Sequence, residues 1–323
     1  MPHVRTDRPK VKRVSLVGLG AMGLRHARVL MGLPECFELV GGYDPGREAA
    51  RPSLARPPAP AVARLGTEAE AIATCDVLVV ASPISAHAAT VARALGAGKH
   101  VLVEKPLCAS RAEAEALVAA AARGQERLYV GHSERFNPVV RTLVRLLRGE
   151  RVLALDFQRV GPVRPSECSV LVNLGVHDLD LAAYLGGGEV TLRGAVGGSA
   201  FADVLLSVGG GAVAHVHVDR TTPHRRRSIT LTTQAWTYEG DLLSHRLVRT
   251  ARDTGLSSEV PLPLEEPLVA QARALADALE GGPAREIATG ADGAAAVRIA
   301  ELATALCDAD GGAEALSERR GTL

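Results

Sequence analysis

A glycine-rich turn near the start of the chain constrains the fold more than any other feature. The turn, Gly18-Leu-Gly-Ala-Met-Gly23, follows a short apolar run over 14–17 and precedes a stretch with helical spacing over 21–31. A strand, a glycine turn and a helix in this order open a βαβ unit that binds a dinucleotide through its phosphates. The sequence therefore predicts a parallel, doubly wound sheet in the first part of the chain.

The three glycines and one acid predict how such a cofactor is held. Gly18 permits a sharp turn, Gly20 allows the backbone to approach a pyrophosphate, and Gly23 lets the helix pack closely on the sheet. Asp44 ends a second strand about 20 residues later, where a carboxylate accepts from ribose hydroxyls and repels a 2′-phosphate. NAD is therefore favoured. NADP stays open, because Arg47 can turn toward a phosphate instead.

Strands and helices continue to alternate as far as Val130. Further strands are predicted over 76–81, 100–103 and 128–130, and helices over 86–95 and 111–123. Four prolines in 51–60 predict a connection that is mostly loop.

The pattern changes after Gly131, where strands with few intervening helices begin. Strands are predicted over 153–160, 190–196, 202–208, 212–218 and 228–233, and helices over 138–147, 176–185, 268–279 and 291–307. The predicted fold class is α/β. An N-terminal Rossmann domain, 1–131, precedes an α/β domain, 132–323, with a large, mostly antiparallel open sheet. The last helix, 291–307, is placed either in the second domain or back against the first.

Composition excludes several classes of partner. A net charge of +1 gives no reason to expect nucleic acid. No apolar run reaches the ~18 residues of a membrane span. Five cysteines without CxxC or CxH spacing indicate reduced thiols and a cytoplasmic protein. His215 and His217 share a strand face that Asp219 continues, yet a half-exposed sheet face is favoured over a metal site, so no metal is expected.

Lys105 is the candidate for proton transfer. It follows a buried parallel strand at its carboxyl end, where open α/β sheets bind their ligands. Pro106 disfavours α conformation at Lys105 and can hold a special turn. A lysine desolvated at such a site loses basicity and can exchange a proton with a substrate hydroxyl. The alternative is a surface lysine beside a solvated Glu104.

Four fragments in this order resemble the glucose–fructose oxidoreductase and inositol dehydrogenase family. They are the glycine turn, Glu104-Lys-Pro106, Glu134-Arg-Phe-Asn-Pro138 and Asn173-Leu-Gly-Val-His177-Asp-Leu-Asp180. Ser82-Pro83 with His87 resembles the end of that family's fourth strand. The sequence of residues 131–138 is most similar to that of members that oxidise or reduce UDP-linked amino sugars at C3. The resemblance implies a cofactor site formed by Gly18, Gly20, Ala21, Met22, Gly23, Asp44, Arg47, Ser82, Pro83, His87, Glu104 and Lys105.

The resemblance also implies a catalytic set of Lys105, His177 and Asn173. His177 lies four residues after Asn173, so the two share a helix face. Family members place an acid, often Asp, at the first of these positions, whereas Asn173 cannot take a proton. Three alternatives remain: Lys105 or His177 carries the proton alone, Asp178 or Asp180 substitutes, or turnover is lost. Asp178 and Asp180 are interpreted mainly as helix-face residues that anchor the domains.

The expected function is NAD-dependent hydride transfer between nicotinamide and a sugar carbon, with C3 of a nucleotide-linked sugar favoured. Substrate contacts are assigned to Arg135, Asn137, Asn173, His177, Arg225 and Arg227. A solvated basic turn is the alternative for the last two. The open sheet predicts a homodimer or homotetramer. The rival functions are a cofactor-bound regulator without turnover, and a hydrolase or lyase that oxidises its substrate transiently.

Overall fold

The computed structural model describes residues 11–46, 60–124, 127–163, 168–282 and 286–309. The chain divides into two structural units. The first contains the chain up to Leu107, Ala116–Gly131 and Leu268–Gly290; the second contains Cys108–Glu115, His132–Pro267 and the chain from Ala291.

The described residues form strands and helices at the following positions. The strands are β1 Lys12–Val17, β2 Phe37–Tyr43, β3 Val77–Val80, β4 His100–Glu104, β5 Leu128–Gly131, β6 Val152–Val160, β7 Val190–Gly197, β8 Phe201–Val208, β9 Ala212–Asp219, β10 Arg226–Thr233, β11 Trp236–Asp241, β12 Arg246–Ala251, β13 Ser257–Glu259 and β14 Ala288–Thr289. The helices are α1 Ala21–Met31, α2 Glu68–Thr74, α3 Ile84–Gly96, α4 Arg111–Ala121, α5 Pro138–Leu146, α6 Val176–Gly186, α7 Pro267–Leu279 and α8 Gly290–Ala309. A 3₁₀ turn, Ser133–Phe136, precedes α5, and a π-helical turn, Leu171–Gly175, leads into α6.

The first unit has a six-stranded sheet in the order β14-β5-β4-β3-β1-β2. The strands β1 to β5 pair in parallel, and β14 is antiparallel to β5. All four residues of β3 are inaccessible to solvent, as expected for a central parallel strand covered on both faces. Since parallel strands end at one edge, the residues after β1, β3 and β4 meet at that edge, where ligands bind in such sheets.

The second unit has an eight-stranded sheet in the order β13-β12-β11-β10-β6-β9-β8-β7. Only the β6–β9 pair is parallel. Buried and accessible residues alternate along β8 and β9, because α6 lies against one face of the sheet and the other is open. The predicted fold class, a Rossmann domain followed by a domain with a large, mostly antiparallel sheet, is confirmed.

The two units differ from the predicted domains at two segments. Cys108–Glu115, which the sequence placed in the first domain, groups with the second unit. Leu268–Gly290 groups with the first unit, although the sequence placed it in the second domain. The reason is long-range pairing: β14 adds to the edge of the first sheet at β5, and Glu280, just after α7, forms a 2.9 Å ion pair with Lys12 in β1. The helix from 291 groups with the second unit.

Some of the local structure was not predicted. Helix α2, the strands β11 to β13, the two-residue strand β14, the 3₁₀ turn and the π-helical turn appear only in the structure. Thr67 caps α2 by accepting from the Glu70 N–H at 3.0 Å. The proline-rich stretch 51–60 lies almost wholly outside the described residues. Among the described helices, none is long and apolar enough to span a membrane.

Candidate active site

The glycine turn in the first unit has the shape that a phosphate-binding loop needs. Gly18 has a φ of +95°, and a Cβ there would lie 2.5 Å from the backbone of Ala81 and Ser82. A Cβ on Gly23 would lie 1.9 Å from the Gly18 carbonyl oxygen, so the start of α1 packs directly on the turn. A Cβ on Gly20 would meet nothing within 4 Å. The backbone at Gly20 is therefore accessible to a ligand.

The first turn of α1, which contains Ala21 and Met22, favours an anion. Gly20 is the N-cap, no side chain caps the helix, and the first turn carries no acidic residue. The partial positive charge of the helix N-terminus is therefore not neutralised by a carboxylate of its own first turn.

Asp44 lies directly beside this turn. Its Oδ2 accepts from the Leu19 N–H at 2.7 Å and its Oδ1 accepts from the Gly46 N–H at 3.0 Å. The carboxylate is half-buried and held by backbone donors. Each of its two oxygens can accept a further hydrogen bond, so the carboxylate can also bind ribose hydroxyls. Arg47 lies outside the described residues.

The edge formed after β3 and β4 is fixed by a buried histidine. One ring nitrogen of His87 lies 2.9 Å from the Ser82 carbonyl oxygen, and the other lies 2.9 Å from the Pro106 carbonyl oxygen. His87 is 2% exposed and joins the two strand ends through these contacts. The Ser82 Oγ is buried beside Pro83 and has no hydrogen-bond partner among the described residues. An orphaned hydroxyl next to the glycine turn fits a polar ligand at this edge.

Glu104 is a buried carboxylate rather than a solvated neighbour of Lys105. Its Oε1 lies 2.7 Å from His26 Nε2, and its Oε2 accepts from the Lys105 N–H at 3.3 Å. Burial would raise the pKa of Glu104, but the hydrogen bond and charge of His26 and the charge of Lys105 hold that pKa below its usual range. A Cβ on Gly131 would lie 3.0 Å from Glu104 Oε1, so the glycine leaves room for this pair.

Lys105 itself is half-buried and follows β4 at the carboxyl edge of the sheet. The peptide bond between Lys105 and Pro106 is cis.

Asn173 and His177 lie in the second unit, one helical turn apart. Asn173 is in the π-helical turn, and its N–H donates to the Ser169 carbonyl at 3.0 Å. His177 is in the first turn of α6. Both residues are half-buried.

Arg135 and Asn137, expected as substrate contacts, both bind partners inside the second unit. Arg135 is 4% exposed and binds Asp180 through Nε, at 2.8 Å, and Nη2. Its guanidinium also lies 4.5 Å above the centre of the Tyr184 ring. Asn137 caps α5 by accepting from the Val139 N–H, and its amide donates to the Leu242 carbonyl at 3.0 Å.

Asp178 and Asp180, interpreted from the sequence as helix-face residues that anchor the domains, hold α6 inside the second unit. Asp178 binds Arg159 with both oxygens, at 2.7 and 2.8 Å. Asp180 is bound by Arg135 in the same bidentate manner. Because both carboxylates are engaged by buried arginines, neither is available to replace the acid missing at Asn173.

Of the two arginines of the basic turn that are assigned to the substrate, one is exposed and the other is engaged within the second unit. Arg225 is exposed. The Nη1 of Arg227 donates to Glu134 Oε1 at 2.9 Å, and its side chain is 38% exposed. Burial, and then the charge of Arg159, lower the pKa of Arg227.

The histidines of β9 lie in a row of hydrogen bonds to aspartates across the open sheet face. His215 lies 2.7 Å from Asp156 and 2.9 Å from Asp203, and His217 lies 2.8 Å from the same oxygen of Asp203. Within the described ranges, no group of three or more potential ligands is arranged to hold a metal ion.

Comparison with known proteins identifies the family of the chain. Residues 12–132 match the GFO_IDH_MocA model, described as an oxidoreductase family with an NAD-binding Rossmann fold. UDP-N-acetylglucosamine 3-dehydrogenase of Acidithiobacillus ferrooxidans is 30% identical over 228 residues, which cover 67% of this chain and 70% of that protein. The chain belongs to this family. The predicted membership is thereby confirmed.

Two further matches describe how the family relates to this chain. Inositol 2-dehydrogenase 2 of Paenarthrobacter aurescens is 34% identical over 195 residues, which cover 55% of this chain and 57% of that protein, less than two thirds of its length. A solved structure of UDP-N-acetylglucosamine 3-dehydrogenase GnnA from Acidithiobacillus ferrooxidans superposes with a TM-score of 0.82. That match has 24% identity and covers 93% of this chain and 99% of the other, and it shows the shared fold.

Sequence reasoning missed the buried residues that support the site. His26, His132 and Arg159 were assigned no role. One signal was present: two aspartates interrupt the apolar segment over 171–185, and buried acids require arginine partners. The identity of those partners could not be read from spacing.

Proposed function

We propose that the protein is a NAD-dependent oxidoreductase that transfers a hydride between nicotinamide and a sugar carbon. One observation carries the proposal. A half-buried lysine follows β4 at the same sheet edge as the glycine turn and the orphaned Ser82 hydroxyl, in a chain of an oxidoreductase family. The names of the relatives support a sugar dehydrogenase. The position of Lys105 supports its role as the proton-transfer group.

The residues of the first unit fit the cofactor. The pyrophosphate would lie against the backbone at Gly20 and the N-terminus of α1, and the adenosine ribose would lie against Asp44. Ser82, Pro83 and His87 would form the wall after β3, and Glu104 would form the wall after β4. The bound nicotinamide would supply the two-electron chemistry. We propose NAD over NADP, because Asp44 presents a carboxylate where a 2′-phosphate would carry its charge.

The proton of the substrate hydroxyl is assigned to Lys105. Its Nζ would accept that proton in the oxidative direction and return it in the reductive direction. His177 would assist as a second polar group able to hold or move a proton. Asn173 would orient the sugar by hydrogen bonding, since an amide neither gains nor loses a proton in this range.

An anionic, nucleotide-linked sugar is the proposed substrate, with oxidation or reduction at C3. The support is the exposed Arg225 and the half-exposed Arg227, whose guanidinium groups suit phosphate oxygens. The relative from Acidithiobacillus ferrooxidans is named for UDP-N-acetylglucosamine. Free inositols are the competing substrate class.

We also propose that the protein is a homo-oligomer, dimer or tetramer. The open face of the eight-stranded sheet exposes Leu205 and Val213 at 47% and 48% among polar side chains. Such a face is suited to association. Light scattering or sedimentation velocity would give the state, and a monomer at micromolar concentration would overturn it. A cytoplasmic location stays a prediction from the cysteine pattern.

The activity is tested by following reduced nicotinamide while a panel of sugars is added. A dehydrogenase gives a net absorbance change with at least one UDP- or TDP-sugar. A non-catalytic homologue, which the amide of Asn173 favours, binds cofactor and gives no change and no product. A hydrolase or lyase with transient oxidation gives product without net change. Either of these last two results would overturn the proposal.

A further inference from the structure

His132 is a buried histidine at the start of the second unit for which the proposed reaction has no role so far. It is 1% exposed and lies in the segment that connects β5 to the 3₁₀ turn. Its ring lies against that of His177, with the centroids 6.2 Å apart and the planes at 83°. This is an edge-to-face contact of the kind that aromatic rings favour.

A buried ion pair supports His132 from its other side. The Nδ1 of His132 lies 3.8 Å from Oδ2 of Asp180. That carboxylate is itself fixed by Arg135, which stacks on Tyr184 and has Asp292 of α8 at 3.5 Å. The aspartate and arginine are 3% and 4% exposed. The imidazole of His132 is therefore enclosed between a fixed carboxylate and the ring of His177.

This arrangement limits where the His177 ring can turn. His177 is only half-buried, so packing alone does not hold its ring on all sides. A fixed ring in edge-to-face contact excludes the side-chain rotations that would bring the two rings into overlap. A catalytic group must be held close to its productive geometry, and an error of about 1 Å can cost about 10²-fold in rate.

The geometry points to His132 as a positioning residue that orients the imidazole of His177. The inference rests on the proposed function for its consequence in catalysis, but the contact between the rings can be tested without turnover. The contribution is made by the ring of His132. An aromatic ring without nitrogens, as in His132→Phe, should therefore replace it in large part, and His132→Ala should not.

The first measurement is structural and independent of activity. In ring-proton NMR spectra, the His177 signals are assigned by their loss in His177→Asn. We expect His132→Ala to move these signals toward random-coil positions, because they lose the ring current of the neighbouring ring, and His132→Phe to leave them dispersed. His217→Ala, which removes a histidine from the open sheet face, serves as the matched control and should leave them unchanged. His177 signals that are identical in wild type and His132→Ala would overturn the positioning role.

The second measurement separates kcat from KM for the sugar. We expect His132→Ala to lower kcat by about 10- to 100-fold with KM changed by less than about threefold, and His132→Phe to restore kcat to within about threefold. Thermal unfolding of each variant identifies a folding defect. If His132→Ala has such a defect, the inference is tested by His132→Phe alone. Failure of His132→Phe to rescue, with its fold intact, would overturn the inference. Shifted His177 signals in a protein that shows no hydride transfer at all would instead leave the inference standing and reject the proposed function.

Discussion

Both carboxylate oxygens of Asp178 accept hydrogen bonds from Arg159, at 2.7 and 2.8 Å, and the two residues are each 2% exposed. The remaining nitrogen of Arg159 donates to Glu134 at 3.1 Å. Burial would lower the pKa of Arg159, but the charges of Asp178 and Glu134 raise it above its ordinary value, so the guanidinium stays charged. This cluster joins β6, the 3₁₀ turn and α6, and so fixes the helix that carries His177.

We expect Arg159→Met to destabilise the protein strongly, because it leaves two buried carboxylates without their main partner. Removing one member of a buried pair typically costs about 3–5 kcal/mol in free energy of unfolding. Urea denaturation followed by circular dichroism measures the loss. Arg111→Met is the control, because Arg111 forms only a surface ion pair with Glu115, at 2.6 Å. This variant should unfold at nearly the wild-type urea midpoint. Equal midpoints for the two variants would contradict the role given to the buried cluster.

Stability should also depend on pH through His215. Partial burial lowers the pKa of His215, but hydrogen bonds to Asp156 and Asp203 outweigh burial and raise it above its ordinary value of 6.5. A group whose pKa is raised in the folded state stabilises the fold fully when the pH is below its pKa in the unfolded state. This stabilisation is lost as the pH rises through its pKa in the folded state. The side chain is 39% exposed, so solvent screening keeps the effect within about 1 kcal/mol.

Chemical denaturation at a series of pH values tests this contribution. The free energy of unfolding should fall between about pH 6 and pH 8 in the wild type, and the fall should be smaller in His215→Gln. His224→Gln, at an exposed position, should retain the wild-type slope. A steeper fall in His215→Gln would reverse the assigned sign.

The first unit could be predicted closely because its signals are local. The bounds of α1, the glycine turn and the position of Asp44 at the end of β2 all depend on neighbouring residues, and the structure has them where the pattern placed them. Burial of Glu104 was missed, since it depends on His26, far away in the chain.

Long-range pairing explains what could not be predicted in the second unit. The motif containing Arg135 and Asn137 suggested substrate contacts because its sequence resembles that of family members acting on UDP-linked amino sugars. In the structure Arg135 reaches Asp180 and Asn137 reaches the carbonyl of Leu242, partners that no periodicity identifies. The same reason applies in the first unit to β14, whose two residues are a strand only because they pair with the edge of the first sheet at β5.

The cofactor preference should depend on Asp44. We expect calorimetric titration to give tighter binding of NAD than of NADP. Asp44→Ala should narrow this difference in affinity, because it weakens NAD binding and removes the charge that repels the 2′-phosphate. Asp44→Asn retains an acceptor without the charge and should admit NADP with a smaller loss of NAD. Equal or tighter NADP binding by the wild type would show that a cationic neighbour such as Arg47, rather than Asp44, decides the preference.

Substrate affinity should depend on the exposed Arg225. Arg225→Ala is expected to weaken a UDP-sugar by about tenfold or more while NAD binding is unchanged, because a charge-assisted phosphate contact contributes about 1.5–3 kcal/mol. Arg226→Ala is the matched control, since Arg226 is also exposed but is not assigned to the substrate. Arg227→Ala also removes a partner of Glu134, so its effect includes the buried cluster. Faster turnover of free inositols or glucose than of any nucleotide sugar would reject the substrate class.

The central claim is that Lys105 moves the proton while Asn173 only orients the substrate. Single-turnover hydride transfer tests it directly, for wild type, Lys105→Ala, Asn173→Asp and the control Lys99→Ala, whose half-buried lysine binds the carbonyl of Cys75. Removing a positioned acid–base group costs about 10²–10⁴-fold in rate.

We predict that Lys105→Ala loses at least about 10²-fold in the transfer rate and still binds NAD, that Lys99→Ala transfers at the wild-type rate, and that Asn173→Asp is equally active or faster. Activity that appears only in Asn173→Asp would favour a non-catalytic wild type. Undiminished hydride transfer in Lys105→Ala would contradict the mechanism.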